Sequence, residues 1–291
     1  MTVRTKMLRV LAQEDINFLL TNRIPRRLAT QFMGWFSRIE HPLVRDASIA
    51  VWRLFADLDL RDARRTQFKS LHDCFVRELK EDARPIDHRA DVLVSPCDAI
   101  VGTCGAIAGT RVYQAKGFPY ALVDLLADDD LLEMCLDGCY ATLRLTSAMY
   151  HRFHAPHDCR VAKVIYMSGD TWNVNPIALK RVERLFCKNE RAVIATSVSQ
   201  SGTPITLVAV AAILVAGIRL HCLEGSHNLR QRGTNVILCD SHFHKGEEMG
   251  WFEHGSTILV FAPKGFSLCE GICEGATIRM GEALMRMEES V

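Results

Sequence analysis

The chain has 291 residues and a mass of 32.7 kDa, enough for one large domain or two small ones with a buried core. Hydrophobic residues make up 48% and charged residues 24%, close to the average of globular proteins, which argues against disorder over most of the chain. The 35 Lys and Arg nearly cancel the 34 Asp and Glu, so the composition is not that of a strongly basic nucleic-acid-binding protein.

Three further features limit where the protein works. The mainly apolar residues 205–218 are too few for a membrane span of roughly 20 residues, and they predict a buried strand or pair of strands. The first residues lack the basic tip and apolar core of an export signal. The 11 Cys include no Cys-x-x-Cys pair, so we interpret them as buried thiols in a reducing compartment.

Residues 1 to about 80 carry helical spacing. Pro25 can begin one helix, and Pro42 is expected in the connection to a second. The two apolar stripes are Leu28, Phe32, Trp35, Phe36 and Ile39, and then Ile49, Trp52, Leu54, Phe55 and Leu58. The first stripe is flanked by Arg23, Arg26, Arg27 and Arg38. Such a helix can lie at an anionic membrane surface or pack on its own domain, and the sequence leaves both open.

From about residue 90 the pattern changes to short apolar runs separated by Gly and Pro. These runs predict strands at residues 92–94, 100–102, 141–145, 161–167, 193–198 and 206–214. Residues 122–136 are the main helical interruption. The chain has no internal repeat and no flexible linker between two units. We therefore expect helices followed by a β-rich core.

The densest polar cluster is residues 150–158, where His151, His154 and His157 lie three residues apart. Pro156 disfavours a helix at the residue before it, so a strand that ends in a turn is expected. Acidic or Cys ligands at recognised zinc spacings are absent, which argues against a metal site. One or two of these imidazoles can instead be hydrogen-bonded structural groups.

Gly255, Ser256 and Thr257 precede an apolar strand. Because Gly255 has no side chain, its carbonyl is open to attack by the neighbouring hydroxyl. A Ser hydroxyl is a poor nucleophile until a base removes its proton. The His cluster offers such a base, and Asp98 can orient it. A plain turn is the alternative.

Together these motifs resemble the phosphatidylserine decarboxylase proenzymes, which make their own pyruvoyl cofactor. The resemblance extends from about Phe68 to Gly281, whereas roughly the first 65 residues match only as amphipathic helices. Its motifs are residues 75–80 with 84–87, 95–98, 114–117, 150–156, 169–170, 173–176, 185–191 and 245–250, followed by 255–257. So many matches in the same order argue against chance.

The resemblance implies an α+β fold in which N-terminal amphipathic helices pack on a β-rich barrel-sandwich catalytic core. Residues 1–80 are then a membrane-associating region, and residues 81–291 are a decarboxylase domain that cleaves itself between Gly255 and Ser256. It also implies a peripheral protein at the cytoplasmic face of the membrane and a homodimer in which each protomer consists of two chains. The sequence itself does not show the oligomeric state.

The resemblance also implies residue roles. Ser256 attacks the carbonyl of Gly255, with His154 as general base and Asp98 holding its imidazole. An ester forms, and β-elimination leaves a covalent pyruvoyl group at position 256. This group forms a Schiff base with the amine of phosphatidylserine and accepts electrons as CO2 leaves, giving phosphatidylethanolamine. His151 either protonates Cα or grips the substrate carboxylate. No metal, nucleotide or pyridoxal is required.

Two residues depart from the family pattern, His254 in place of Leu and Ala99 in place of Gly. We expect His254 to be a tolerated neighbour of the scissile bond. The alternatives are a family member acting on a soluble amino acid or another serine-bearing lipid, a Ser hydrolase, which the missing Gly-x-Ser-x-Gly disfavours, and a non-catalytic binding module. Asn175 and Glu248 can be structural, as a turn-forming side chain and a solvated acid.

Overall fold

The computed structural model describes residues 13–113, 118–213, 217–223, 235–253 and 256–288. The motif at 114–117, His254 and Gly255 lie outside these residues, as does the side chain of Arg27. The helices are α1 (Glu14–Asn22), α2 (Arg26–Phe36), α3 (Pro42–Phe55), α4 (Leu71–Phe75), α5 (Leu122–Leu126), α6 (Asp129–Cys135), α7 (Pro176–Leu179) and α8 (Leu185–Lys188). The strands are β1 (Val92–Val94), β2 (Ala99–Ala106), β3 (Arg111–Tyr113), β4 (Pro119–Ala121), β5 (Cys139–Leu145), β6 (Arg152–His154), β7 (Cys159–Met167), β8 (Arg191–Val198), β9 (Pro204–Ala211), β10 (Ile218–Leu220), β11 (Asn235–Phe243), β12 (Glu248–Phe252), β13 (Ser256–Ala262), β14 (Phe266–Leu268), β15 (Thr277–Ile278) and β16 (Ala283–Met287).

Helices α2 and α3 begin close to the predicted prolines. Pro25 caps α2, whereas Pro42 is the first residue of α3 rather than part of the connection. The fixed φ of proline suits the first helical position, where its missing N–H is not needed. On its inner side, α3 packs through Ile49 and Trp52 against a small cluster that includes Phe68. This part of the chain therefore has its own minor core.

The arginine rim and the apolar stripe of α2 have different surroundings. Arg26 pairs with Asp170 at 2.6 Å, and Arg38, just beyond the helix, pairs with Glu253 at 3.0 Å. These two arginines therefore hold the helix on the β-rich part of the protein. The large apolar side chains exposed on α2 and α3 are Leu28, Phe32, Trp35, Leu43, Val51, Leu54 and Phe55. Of the two alternatives left open by the sequence, packing on the protein's own domain therefore applies to these arginines. It does not apply to much of the apolar stripe, which is exposed.

One antiparallel sheet of eight strands forms the core, in the order β11-β7-β8-β9-β13-β5-β2-β15. Strand β13 lies in its interior, hydrogen-bonded to β5 and β9. Successive side chains of β13 enter opposite faces, with Ile258 and Val260 in one apolar cluster and Leu259 and Phe261 in the other. Because both faces are covered, β13 is a continuous apolar run rather than an alternating one.

The two faces of the large sheet are covered differently. Helices α5 and α8 pack on one face through residues such as Leu125 and Phe186. On the other face lies a small sheet in the order β10-β12-β6, which contributes Phe153 and Phe252 to the core. A third sheet has the order β1-β16-β14. The small sheet matters for the site because β6 carries His154.

The predicted α+β fold with N-terminal helices and a β-rich core is confirmed. The large sheet is open, with β11 and β15 as edge strands, and the described strands close no barrel. The apolar run at 205–218 covers β9 except for its first residue and ends at Ile218, the first residue of β10. The helical interruption at 122–136 divides into α5 and α6 at Ala127, whose φ is 53°. Within the described residues, no helix has the length and apolar character to cross a membrane.

Candidate functional site

Ser256 is the first residue of β13 and is fully buried inside the large sheet. Its strand neighbours are Leu145 of β5 on one side and Ala211 of β9 on the other. Its Oγ has no hydrogen-bond partner in the described part of the chain. A buried hydroxyl without a partner costs about 1 to 3 kcal/mol, so the packing of the sheet holds a destabilising group in place here.

Asp98 lies at the same end of the sheet as Ser256. It directly precedes β2, the neighbour of β5, and Ile100 of β2 pairs with Arg144, the residue before Leu145. Two strand spacings separate β13 from β2, which corresponds to roughly 10 Å across the sheet. The fold therefore brings residues 98 and 256 to one end of three consecutive strands.

The carboxylate of Asp98 is held by a buried arginine and a backbone amide. Arg84 donates from Nη2 to Oδ2 at 2.6 Å and from Nε to Oδ1 at 2.9 Å, and the Met280 N–H donates to Oδ1 at 2.9 Å. The hydrogen bond to Asp98 raises the pKa of Arg84 above its ordinary value. The predicted direct hydrogen bond between Asp98 and His154 is absent among the described residues. Arg84 and Met280 bind the carboxylate instead, and both ring nitrogens of His154 have other partners.

His154 ends β6 and has a hydrogen-bond partner at each ring nitrogen. Nδ1 donates to the carbonyl of Gly246 at 2.8 Å, so in the neutral ring Nε2 accepts from the Tyr150 hydroxyl at 3.0 Å. Gly246 rather than Asp98 therefore sets the tautomer. Burial lowers the pKa of His154 below its ordinary value, although the hydrogen bond to Gly246 acts in the opposite direction. The ring is consequently neutral near pH 7 and able to accept a proton.

The backbone around Gly246 joins three of the motifs found in the sequence. Gly246 has a φ of +82°, and a Cβ at this position would lie 2.8 Å from Cδ1 of Ile86, so only glycine fits without a shift. Its N–H donates to the carbonyl of Ala155 at 2.8 Å, and the N–H of His154 donates to the carbonyl of Pro96 at 2.8 Å. Residues 95–98, 150–156 and 245–250 therefore converge.

His151 is fully buried in a different environment from His154. Its Nδ1 donates to the carbonyl of Met149 at 2.9 Å, and its ring lies 3.9 Å from the ring of Phe75. Phe75 in turn stacks on Trp52 of α3, at 5.8 Å between ring centroids. The N-terminal helical region is therefore connected through Phe75 to a predicted site residue.

Two open clefts meet at Tyr150. The Arg77 cleft, of about 560 Å³, is lined among others by Phe55, Arg77, Arg84, Asp98, Thr146, Tyr150 and Arg279. The His154 cleft, of about 790 Å³, is lined among others by Arg84, Tyr150, His154, Gly246 and Glu248. Thr146 follows Leu145, the strand partner of Ser256. Thr146, in the wall of the Arg77 cleft, is therefore one residue along the chain from the residue that pairs with Ser256.

Two residues with open assignments have structural contacts. Glu248 accepts hydrogen bonds from Arg152 at 2.9 Å and from Nε2 of His221 at 2.8 Å, so it is an ion-pair partner rather than a solvated acid. Asn175 caps α7 by accepting from the N–H of Ala178 at 2.8 Å, which agrees with the turn-forming interpretation.

The remaining sequence features occupy structural positions. Nε2 of His157 donates a hydrogen bond to the carbonyl of Ala90 at 2.8 Å. Ala99 is fully buried in β2. All 11 cysteines are free thiols; five are buried, but Cys273 is exposed, so the prediction of burial is wrong there. No group of three or more His, Cys, Asp or Glu suited to a metal ion occurs among the described residues.

Sequence reasoning assigned no role to Arg84, Tyr150 or Gly246, although each lies in a motif that it identified. Arg84 is 14 residues from Asp98, and no spacing rule links two loop residues at that distance. Tyr150 and His154 are four residues apart, which indicates contact on a helix, whereas here a turn and a short strand bring them together. Gly246 was one of many glycines, and its sequence position does not reveal its φ.

Comparison with known proteins agrees with this arrangement of motifs. A sequence model of the phosphatidylserine decarboxylase family matches residues 71–286. The phosphatidylserine decarboxylase proenzyme of Saccharophagus degradans is 32% identical over 289 residues, 95% of this chain and 99% of that protein. The proenzyme of Haemophilus influenzae is 33% identical over 270 residues (90% and 92%), and that of Vibrio cholerae 38% over 227 residues (75% and 78%). The chain belongs to the phosphatidylserine decarboxylase family.

Proposed function

We propose that the protein is a phosphatidylserine decarboxylase that forms a pyruvoyl group from Ser256 by cleaving its own chain after Gly255. The observation that carries this proposal is the buried Oγ of Ser256 without a hydrogen-bond partner in the described residues. Native proteins satisfy most buried hydroxyls, so an unmet one calls for an explanation. A hydroxyl kept available for attack on the preceding carbonyl supplies that explanation.

The surroundings of Ser256 fit the pyruvoyl group. Leu145 and Ala211 flank the residue and exclude water. Conversion of Ser256 to a ketone also removes the unmet O–H donor. The pyruvoyl group supplies a carbonyl that condenses with a primary amine and takes up the electron pair released with CO2.

Self-cleavage assigns roles to residues of the chain. Oγ of Ser256 attacks the carbonyl carbon of Gly255, so a C–O bond forms while the C–N bond breaks, and the hydroxyl proton passes to a base. His154 is that base, since its Nε2 carries the lone pair of a neutral ring. Elimination then releases the carboxylate of Gly255, and hydrolysis of the resulting dehydroalanine releases ammonia.

Asp98 and His151 act around this centre. Asp98 positions its segment through Arg84 and the Met280 amide rather than through His154. His151, buried against Phe75, either protonates the substrate Cα or grips its carboxylate. Both assignments rest on the family resemblance together with this placement.

The exposed apolar side chains of α2 and α3 favour a lipid substrate over a soluble amino acid. Phe55, at the end of α3, is 44% exposed and also lines the Arg77 cleft. An apolar surface that leads into a polar cleft suits a molecule with acyl chains and a charged head group. We propose that residues 1–80 hold the protein on the cytoplasmic face of the membrane. The homodimer remains a prediction for sedimentation measurements.

Release of labelled CO2 from vesicles of carboxyl-labelled phosphatidylserine tests the proposal. We expect release by the wild type and none by Ser256→Ala, which removes only an unmet hydroxyl and should keep the fold. Thr171→Val is the matched control, because it removes another buried hydroxyl without a partner among the described residues, outside both clefts. Release from free serine but not from the lipid would favour the soluble-substrate alternative. Activity of Ser256→Ala would contradict the pyruvoyl group.

A further inference from the structure

Arg77 is a buried cation in the wall of the Arg77 cleft, and it has only backbone partners. It is 6% exposed, and its guanidinium donates to the carbonyls of Cys74 at 3.4 Å and Ala148 at 2.9 Å. No carboxylate among the described residues forms an ion pair with it. Arg84, in the same wall, is bound instead by the carboxylates of Asp98 and Asp62.

A buried guanidinium without a counter-ion destabilises the protein. Burial lowers the pKa of Arg77, yet an arginine side chain keeps its proton in proteins. Two carbonyl dipoles satisfy part of the donor fork, and the attraction of Asp98 acts only without direct contact, because Arg84 already binds that carboxylate. An anion in the cleft would offset this charge, and the planar fork suits the oxygens of a phosphate or a carboxylate.

Arg279 is the second unpaired cation of this cleft. It is exposed, and its side chain has no hydrogen bond or ion pair to any described residue. The nearby acids do not supply one: Asp59 is bound to Arg61 and Asp62 to Arg84, while Asp57 is exposed at the rim. Two cations without carboxylate partners therefore line one cleft.

The position of the cleft indicates which part of a substrate these cations meet. At one side Phe55 joins the cleft to the exposed apolar surface of α3. At the other side Thr146 follows the strand partner of Ser256. A lipid entering by Phe55 with its amine directed toward residue 256 would carry its phosphate between these two points.

We propose that Arg77 and Arg279 bind the phosphodiester group of the phospholipid substrate. This inference rests on the proposed function and adds the site that recognises the head group. Arg77 contributes from the cleft wall, and Arg279 from the exposed side. The site therefore recognises a group that remains in the product, since decarboxylation leaves the phosphate in place.

The test uses purified, self-cleaved enzyme in micelles of a detergent that contains no phosphate. Arg279→Gln and Arg77→Lys are compared with Arg286→Gln, a half-exposed arginine on β16 outside both clefts. The KM for phosphatidylserine and the inhibition constant of phosphatidylethanolamine are measured for each. We expect Arg77→Lys to raise both constants about tenfold and Arg279→Gln to raise both roughly threefold, with a smaller change in kcat. Arg286→Gln should change neither.

Phosphatidylethanolamine separates the two anionic groups of the substrate because it has the phosphate but no carboxylate. A rise in KM with an unchanged inhibition constant would show that the arginines hold the carboxylate, which overturns the proposal, as would no change in either constant. Should Arg77→Lys fail to fold, Arg279→Gln alone decides by the same readout. If the wild type itself cleaves but releases no CO2 from phosphatidylserine, the proposed function fails, and this result is distinct from a failure of the arginine site.

Discussion

Helix α2 and strand β13 place similar apolar residues in opposite surroundings. Leu28, Phe32 and Trp35 of α2 are 56–65% exposed, whereas every residue of β13 is buried. The sheet encloses Ser256 among buried neighbours, whereas the helices leave an apolar surface exposed. Hydrophobicity alone therefore does not decide whether an apolar stripe is buried or exposed, since this depends on whether the rest of the fold covers it.

Arg84 connects the N-terminal region, residues 1–80, to the β-rich core through two carboxylates. Asp62 lies in the N-terminal region and is 48% exposed in its side chain, whereas Asp98 lies at the start of the sheet and is 11% exposed. The same guanidinium therefore makes one solvent-exposed and one buried ion pair. Removing each carboxylate in turn therefore compares the contributions of an exposed and a buried ion pair to the free energy of unfolding at a single arginine.

The largest effect is expected from Asp98→Asn. It removes the buried negative charge beside Arg84 and should lower the free energy of unfolding by about 3 to 5 kcal/mol. Asp62→Asn removes the exposed partner of the same arginine and should cost less than about 1 kcal/mol. Urea unfolding of both variants in the Ser256→Ala chain checks this. Equal losses would contradict the assigned difference between the regions.

Truncation of one apolar side chain in each region compares the regions directly. Leu259→Ala should cost about 2 to 5 kcal/mol, because Leu259 is fully buried in the apolar cluster on one face of the sheet. Trp35→Ala should change stability by less than about 0.5 kcal/mol, because the ring is exposed. Denaturant midpoints measure both, and a large loss for Trp35→Ala would show that α2 is covered in the protein.

The exposed stripe of α2 should matter for membranes rather than for folding. Replacing Leu28, Phe32 and Trp35 together by Gln should weaken binding to anionic vesicles about tenfold or more while leaving thermal stability unchanged. The matched control replaces Val236 and Leu238 by Gln. Both residues are exposed on the edge strand β11, and this variant should retain vesicle binding. Vesicle co-sedimentation distinguishes the two, and equal losses would remove the special role of α2.

The smallest expected effect concerns pH. The pKa of His154 is lowered by burial, so below about 6.5 the unfolded chain binds a proton that the folded chain does not. Stability should therefore fall as pH drops from about 6.5 toward the lower native pKa, by at most about 1.4 kcal/mol per pH unit from this residue. His154→Gln in the Ser256→Ala chain should remove that part of the slope. An unchanged slope would contradict the burial of a neutral ring.

Much of the fold was readable in the sequence because it depends on local patterns. Alternation and apolar runs located strands such as β5, β7 and β9, and Pro25 located the start of α2. The break of the 122–136 helix at Ala127 was not readable, since a left-handed residue other than glycine is set by tertiary contacts. The burial of a stripe depends on partners far away in the chain, so the sequence alone does not decide whether the stripe of α2 is exposed.

The site was predictable in its motifs and not in its contacts. Ser256, Asp98 and His154 lie in segments that the fold brings together, but the partner of Asp98 is Arg84 and the partner of His154 Nδ1 is the carbonyl of Gly246. A backbone carbonyl has no identity in a sequence, so the second contact carried no signal. Reasoning by analogy with a catalytic triad favoured the wrong partner for the imidazole.

Intact-mass measurement of the purified wild-type protein tests the central claim most directly. Self-cleavage should give two chains, one ending at Gly255 and one spanning residues 256–291 whose mass is lower by one ammonia than that of the same peptide beginning with serine. Ser256→Ala should give one chain of full length. A single uncut chain with an ordinary serine in fully active wild-type protein would show that the enzyme works without a pyruvoyl group at position 256.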